Sequence, residues 1–180
     1  MTARADEDVK VRRIQPGDDA AMERIIRDCL IEFGANRSGC AWDDDLSRFS
    51  ALYSAPDTAY WVAERGGRVI AGVGIGGGAR HPVCGRVCEL QKMYCVPEAR
   101  GTGVAQRLLD TALDFAFRRY DCVYLETFAN MLAARRFYAR NGFCEIGESL
   151  LSTGHSACDV KMARKKGAVA QPHRSNGSSI

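Results

Sequence analysis

The spacing of hydrophobic and polar residues changes along the chain, and each change predicts a helix or a strand. The run "VKVRRI" alternates as a strand does, and the run from Pro16 to Gly34 carries apolar residues at helical spacing. A second, short helix is predicted over "WDDDLSRFSAL". Two β-rich runs then meet at Gly66 and Gly67, which is the pattern of a β-hairpin.

The second half of the chain alternates between strand and helix patterns. Strands are predicted at 87–96, in "CVYLETF", in "FCEIGE" and in "ACDVKMA", with helices at 103–120 and 131–140. This order predicts one α/β domain at residues 9–163, with a mixed, mostly antiparallel sheet of about six to seven strands, a parallel central pair and about four helices on both faces. Residues 1–8 and 164–180 are mostly polar and are predicted to be disordered.

Composition and charge narrow the classes of protein to which the chain can belong. Its 180 residues are 46% hydrophobic and contain no apolar run long enough to cross a membrane, so a cytoplasmic protein without a membrane partner is expected. A net charge of +3 with scattered cations does not predict nucleic-acid binding. The eight cysteines are interpreted as reduced thiols, and no metal site is expected because "HPVCGRVC" lacks paired zinc-ligand spacing.

Two glycine-rich runs are candidates for phosphate binding. "GVGIGG" has the spacing of a dinucleotide-binding loop, but no helix pattern follows it, so residues 72–78 are predicted to be a flexible strand end and loop. "RGTGVA" does open a helix, where Gly101 and Gly103 leave backbone N–H groups exposed at the positive end of the helix dipole and Arg100 adds a cation. On this stretch alone, phosphate binding and an empty turn both stay open.

The chain resembles the GNAT superfamily of acyl-CoA-dependent N-acetyltransferases, in particular small bacterial-type members. "RGTGVA" matches the motif Arg/Gln-x-x-Gly-x-Gly/Ala, and "ETFANMLAARRFYARNGF" resembles a later strand–helix–strand segment of that family. The resemblance implies that the parallel pair splays apart to admit the pantetheine arm of acetyl-CoA, the co-substrate. It implies cofactor contacts at Met93, Tyr94, Cys95, Arg100, Gly101, Thr102, Gly103, Val104, Ala105, Asn130 and Phe137. For Asn130, capping of the following helix is an alternative.

The resemblance also suggests residues for proton transfer. An alkyl ammonium has no lone pair at neutral pH, so a general base must remove a proton before the amine attacks. Glu89 lies where some family members carry that base, although a glutamate that is exposed or paired with a cation is an alternative. Tyr138 lies where the family often has the acid that protonates the departing thiolate, and a half-buried core tyrosine is its alternative. The oxyanion is expected on a backbone N–H near Met93 or Cys95.

The expected function is transfer of the acetyl group of acetyl-CoA to a primary amine of a small molecule, by direct attack in a ternary complex. Trp42 and Asp43 are candidate substrate contacts, although the acidic run they belong to also suits the start of a helix, and His155 is a third candidate. The alternatives are a non-catalytic acyl-CoA-binding module and a peptide or protein N-acetyltransferase. A homodimer is possible if the final strand is exposed at a sheet edge.

Overall fold

The computed structural model describes residues 8–36, 38, 40, 42, 44–154 and 157–168. These residues form seven β-strands and three α-helices, and none of these helices is both long and apolar enough to cross a membrane. In chain order the elements are β1 (Val9–Arg13), α1 (Asp19–Glu32), β2 (Ala59–Arg65), β3 (Arg68–His81), β4 (Gly85–Cys95), α2 (Val104–Phe117), β5 (Cys122–Thr127), α3 (Leu132–Arg140), β6 (Cys144–Ile146) and β7 (Val160–Lys165).

The seven strands form one mixed sheet in the order β1-β2-β3-β4-β5-β7-β6. All neighbours are antiparallel except β4 and β5. The predicted hairpin joins β2 to β3, with Gly66 and Gly67 at positive φ of 55° and 78° as a tight turn requires. The single α/β domain and its parallel central pair are therefore confirmed, and β7 continues beyond the predicted domain end at Ala163 to Lys165.

Two hydrophobic layers cover the sheet. On one face, α2 buries Val104, Leu108 and Leu109 against β2, β3 and β4. On the other face, α1 and a 3₁₀-helix at Phe49–Tyr53 bury an aliphatic and aromatic cluster that includes Met22 and Phe49. The helical spacing of apolar residues read from the sequence corresponds to these buried stripes.

The parallel pair β4 and β5 separates soon after it begins. The two strands are paired only from Val87 opposite Cys122 to Glu89 opposite Tyr124. Beyond that point β4 runs on to Cys95 beside β3, while β5 runs on to Thr127 beside β7. Among the described residues no strand lies beside the main-chain groups that face this opening, so an extended ligand can add to the sheet there.

The prediction of a loop at residues 72–78 was wrong, because these glycines lie within β3. Their lack of side chains makes room for rings on the sheet: a β-carbon at Gly72 would lie 2.5 Å from Tyr60 Cε1, and one at Gly74 would lie 2.7 Å from Tyr53 Cε1. The glycine run is therefore a packing feature of a strand.

The predicted second helix was also wrong, since residues 44–48 are not helical and Phe49–Tyr53 form a 3₁₀-helix. Before it, Asp45 Oδ1 accepts hydrogen bonds from the backbone N–H (3.0 Å) and hydroxyl (2.7 Å) of Ser47. Such a local bond offers the backbone an alternative to a helix.

The final strand, β7, does not lie at an edge of the sheet. The possible homodimer was inferred from an exposed final strand, and this premise is contradicted. β7 lies between β5 and β6 and pairs with both. The edge position belongs instead to the short strand β6.

Candidate functional site

An apolar cavity of about 250 Å³ lies where α1, β4, α3 and the loop before α2 meet. Eight residues predicted to bind the cofactor or to act on it line this cavity: Met93, Tyr94, Cys95, Arg100, Gly101, Ala105, Phe137 and Tyr138. Three separate sequence segments thus converge beside the opening between β4 and β5. An apolar cavity with a charged group at its rim suits a ligand that has a neutral arm and an anionic end.

The loop before α2 presents backbone N–H groups. Gly101 and Gly103 have positive φ of 73° and 84°, a conformation that L side chains rarely adopt. The hydroxyl of Thr102 donates to the carbonyl of Ala99 (2.7 Å) and holds the loop in place. Because the first helical hydrogen bond runs from the N–H of Arg107 to the carbonyl of Gly103 (3.2 Å), the N–H groups of the preceding residues have no acceptor within the helix. This turn has the geometry of an anion site.

Arg100 already has an anionic partner. Its guanidinium donates to both carboxylate oxygens of Glu32, the last residue of α1, at 2.6 and 2.5 Å. Arg100 lowers the pKa of Glu32 from its ordinary value through this hydrogen bond. The arginine predicted to contact phosphate thus lines the cavity, and its guanidinium is already paired with a carboxylate.

A second, smaller cavity of about 90 Å³ lies between β4 and β5. Glu89 and Tyr138 both line it, although they are far apart in sequence. Met93, Tyr94 and Tyr138 line both cavities, so the two share a wall. The predicted base and the predicted acid therefore face one small space next to the larger cavity.

Glu89 is buried, with 5% of its surface exposed. Gln91 Nε2 donates to Glu89 Oε2 at 2.5 Å, and the hydroxyl of Tyr53 donates to Gln91 Oε1 at 3.1 Å. The alternative of an exposed glutamate at the start of the strand is contradicted. A buried carboxylate that accepts a hydrogen bond from an amide keeps further acceptor capacity on its oxygens.

Tyr138 is buried on α3, and burial raises the pKa of its phenol above the ordinary value, with a smaller contribution from Cys95. Its ring packs edge-on against Phe137 and Phe143, with each pair of ring centroids 5.7 Å apart. Tyr138 can therefore be both a core residue and a proton donor, because its ring packs against core aromatics and the residue also lines both cavities. A phenol with a raised pKa keeps its proton at neutral pH and can donate it.

A bulge at Lys92 shifts the register of β4 against β3 beside the cavities. Lys92 has a positive φ of 48°, and its carbonyl accepts a hydrogen bond from the hydroxyl of Tyr60 (2.8 Å). Beyond the bulge, the N–H of Val96 donates to the carbonyl of Ile70 in β3 (2.9 Å). Because successive N–H groups of a strand point to opposite sides, the N–H of Cys95 points towards the opening.

Of the three residues predicted to contact the acceptor, Trp42 is the one that the structure describes. Trp42 lies under Arg27, whose guanidinium carbon is 5.0 Å from the ring centroid, and Trp42 does not line the two cavities. Asp44, two residues after Trp42, forms an ion pair with Lys92, so its negative charge is neutralised within the protein. Asp43 and His155 lie outside the described residues.

Four predicted cofactor residues do not line either cavity. Thr102 and Gly103 shape the loop, and Val104 is fully buried in the core beneath it. Asn130 is exposed, and it does not cap α3, whose N-cap is Met131. Within the part of the chain that the structure describes, no group of three His, Cys, Asp or Glu side chains converges as metal ligands would.

Sequence reasoning missed several residues of the site. Cys29 of α1 and Phe33, just after it, line the larger cavity, whereas Glu126 and Cys158 line the smaller one. The latter two also border a wider cleft of about 590 Å³ that includes residues 149–154. Cys29 and Phe33 are four residues apart, so a helix places them on the same face, and this spacing could have indicated that they lie together.

The comparisons with known sequences agree with one another. A model of the Acetyltransferase (GNAT) family matches residues 21–143. An Escherichia coli protein, "Uncharacterized N-acetyltransferase YjgM", is 37% identical over 164 residues, which cover 86% of this chain and 93% of that protein. Human N-acetylaspartate synthetase is 34% identical over 112 residues, covering 61% of this chain and 36% of that protein.

Solved structures share the fold at lower sequence identity. A GNAT-family acetyltransferase of Staphylococcus aureus superimposes with a TM-score of 0.73 and 19% identity, covering 87% of this chain and 98% of that one. The PaiA N-acetyltransferase of Thermoplasma acidophilum in complex with coenzyme A gives a TM-score of 0.68 and 15% identity, with coverage of 87% and 98%. Proteins of this fold thus include one solved with coenzyme A bound.

Proposed function

The chain belongs to the GNAT family of acetyltransferases and is an acyltransferase, and from this premise we propose that it transfers the acetyl group of acetyl-CoA to a primary amine of a small molecule. One observation carries the proposal. Glu89 and Tyr138 line the same small cavity at the opening of the parallel pair, next to the larger apolar cavity at the start of α2. A base and an acid beside a thioester site are what amine acetylation requires.

The loop before α2 binds the pyrophosphate of acetyl-CoA in this proposal. The N–H groups at the start of α2 hydrogen-bond the phosphate oxygens, and Arg100 exchanges its carboxylate partner for phosphate. The apolar cavity then receives the pantetheine arm, and main-chain groups of Met93 and Cys95 bond it as a neighbouring strand would. The acetyl group reaches the smaller cavity past Tyr138.

The residues of the smaller cavity have separate tasks. Glu89 takes a proton from the substrate ammonium, directly or through water, and the free amine attacks the thioester carbonyl. The N–H of Cys95 hydrogen-bonds the oxyanion that develops. As the carbon–sulfur bond breaks, Tyr138 gives its proton to the departing sulfur, and the acetyl group stays on the amine nitrogen. That nitrogen loses its second proton, which restores the neutral phenol of Tyr138, and Glu89 releases the first proton to solvent.

A small-molecule acceptor is favoured by the curated relatives. The name N-acetylaspartate synthetase describes formation of an N-acetylated amino acid, and that relative is 34% identical to the chain. The wider cleft that shares Glu126 and Cys158 with the smaller cavity is an entry route for such an acceptor. Peptide acetylation predicts instead that peptides react faster than free amino acids and polyamines.

The first test is acetyl transfer to a panel of amino acids, polyamines and peptides, with release of the coenzyme A thiol and the mass of the product as readouts. We expect Glu89→Gln to lower kcat by a factor of about 10²–10⁴ and Tyr138→Phe to lower it less, with acetyl-CoA affinity retained in both. Binding of acetyl-CoA by the parent without acetylation of any amine would contradict the proposal and favour a binding module. Faster acetylation of peptides would favour a peptide N-acetyltransferase.

A further inference from the structure

We propose that Gln91 is a positioning residue that orients the Glu89 carboxylate for proton removal. This inference rests on the proposed role of Glu89 as the base. Glu89 and Gln91 are two residues apart on β4, so their side chains lie on the same face of the sheet. Gln91 is the donor to Glu89 Oε2 at 2.5 Å, and it lines the smaller cavity beside Glu89.

Tyr53 fixes which end of the Gln91 amide faces Glu89. The hydroxyl of Tyr53 donates to Gln91 Oε1 (3.1 Å), which leaves the NH₂ group directed at the carboxylate. Tyr53 is 7% exposed, and burial raises the pKa of its phenol, so it remains a donor at neutral pH. The chain Tyr53–Gln91–Glu89 therefore has a defined direction.

The glycines of β3 make room for this chain. A β-carbon at Gly76 would lie 2.4 Å from Gln91 Cδ, and one at Gly74 would lie 2.7 Å from Tyr53 Cε1. Both contacts are shorter than non-bonded atoms tolerate, so Gln91 and Tyr53 take these positions only because the strand carries glycine opposite each of them. Two positions of the glycine run are thus tied directly to the site.

A neutral amide is a suitable partner for a base. It hydrogen-bonds the carboxylate but cannot take the proton that Glu89 removes, so the proton remains on the carboxylate. The phenols and thiols that interact with Glu89 have pKa values raised by burial and stay neutral, namely Tyr53, Cys88, Tyr124 and Cys158. Glu126 and Lys92 also line this cavity, and Lys92 forms an ion pair with Asp44.

Two substitutions of Gln91 test the proposal through the pH dependence of acetyl transfer. Gln91→Glu places a second carboxylate beside Glu89, and because like charges oppose ionisation, the acidic limb of the kcat/KM profile moves up by about one pH unit or more. Gln91→Met removes the hydrogen bond and lowers kcat by a factor of about 10 to 100. In both variants the KM for acetyl-CoA stays within about twofold of the parent value, since Gln91 does not line the larger cavity.

A third variant displaces Gln91 without altering it. Gly76→Ala pushes the flexible end of Gln91 away and should lower kcat as Gln91→Met does, whereas Gly77→Ala, whose β-carbon meets no atom within 4 Å, is the matched control. Thermal unfolding shows whether each variant folds. If a Gln91 variant does not fold, the kcat of Gly76→Ala compared with that of Gly77→Ala decides the outcome.

The outcomes separate this inference from the proposed function. The positioning role would be overturned by an unchanged acidic limb in Gln91→Glu together with an unchanged kcat in Gly76→Ala. A strongly lowered kcat of Glu89→Gln in the same assay would leave the role of the base intact. Full activity of Glu89→Gln would overturn the role of the base itself.

Discussion

At the scale of single residues, the ion pair of Arg100 with Glu32 is the most consequential contact near the proposed phosphate site. Both guanidinium–carboxylate bonds are short, at 2.6 and 2.5 Å, and they engage the edge of the guanidinium that a phosphate would also need. Cofactor binding and this pair therefore compete for the same donors. Glu32 orders Arg100 at the cavity but opposes the final contact.

We predict that Glu32→Gln strengthens acetyl-CoA binding several-fold. The substitution removes the competing negative charge and leaves the Arg100 guanidinium free for the pyrophosphate. Titration calorimetry with acetyl-CoA measures the change, and Glu23→Gln, which breaks the ion pair of Glu23 with Arg27 on the same helix, is the control. Weaker binding by Glu32→Gln would show that Arg100 depends on Glu32 for its position.

The sequence indicates candidate site residues most directly where they belong to one continuous motif. Arg100, Gly101 and Gly103 stand together, and their conformational needs are local, so spacing and residue type were informative. Tyr53 and Gln91 are 38 positions apart in the chain, and neither is part of a local motif. Their contact depends on how the 3₁₀-helix at Phe49–Tyr53 packs against β4, which no local pattern specifies.

At the scale of elements, a three-residue ion-pair network joins the first two strands to the start of α1. Arg12 in β1 donates to Asp18 Oδ2 at 2.6 Å and to Glu64 Oε2 in β2 at 2.7 Å. Asp18 precedes α1 directly and also accepts the backbone N–H of Gln15 (2.8 Å). The network therefore sets how α1 leaves the sheet and begins to cover the face that carries Glu89.

We predict that Asp18→Asn lowers the free energy of unfolding by about 1–3 kcal/mol at pH 7. The hydrogen bond from Arg12 lowers the pKa of Asp18 in the folded protein. The ionised Asp18 therefore stabilises the fold fully at pH values above its pKa in the unfolded chain, and this stabilisation is lost as the pH falls through its lower pKa in the folded protein. Urea unfolding at pH 7 and at about pH 2 measures the difference between parent and variant. Asp57→Asn, which removes an exposed ion pair at 3.9 Å, is the control. A difference that persists unchanged at the lower pH would contradict this origin.

Elements with a clear period were predicted well, and elements decided by their neighbours were not. The amphipathic pattern of α2 and the glycine turn between β2 and β3 are local signals. The continuation of β3 through Gly72–Gly78 depends on the rings of Tyr53 and Tyr60, and the place of β7 between β5 and β6 depends on strand order. Both are tertiary features.

At the scale of the whole molecule, the opening between β4 and β5 connects the fold to the proposed activity. The order of strands and helices gave the α/β class from sequence, and the family match supports the same architecture. What the sequence alone could not give is the pair of adjoining cavities, because their walls come from α1, β4, β5, α3 and the segment before β7. In the proposed function, the larger of these cavities and the loop before α2 together hold acetyl-CoA.

The most direct test of this claim is thermal unfolding of the full chain with and without acetyl-CoA, with NAD as a control ligand. At about 100 times the dissociation constant, acetyl-CoA should stabilise the protein by about 2.7 kcal/mol and raise the unfolding midpoint by several degrees. Gly101→Val should abolish this shift. Gly67→Val is the control: Gly67 in the hairpin has a φ of 78°, close to the 73° of Gly101, so the substitution imposes similar backbone strain but should keep the shift. If the larger cavity holds acetyl-CoA, the ligand shifts the midpoint of the parent and of Gly67→Val but not of Gly101→Val. No shift of the parent at millimolar acetyl-CoA would show that the cavity does not bind it.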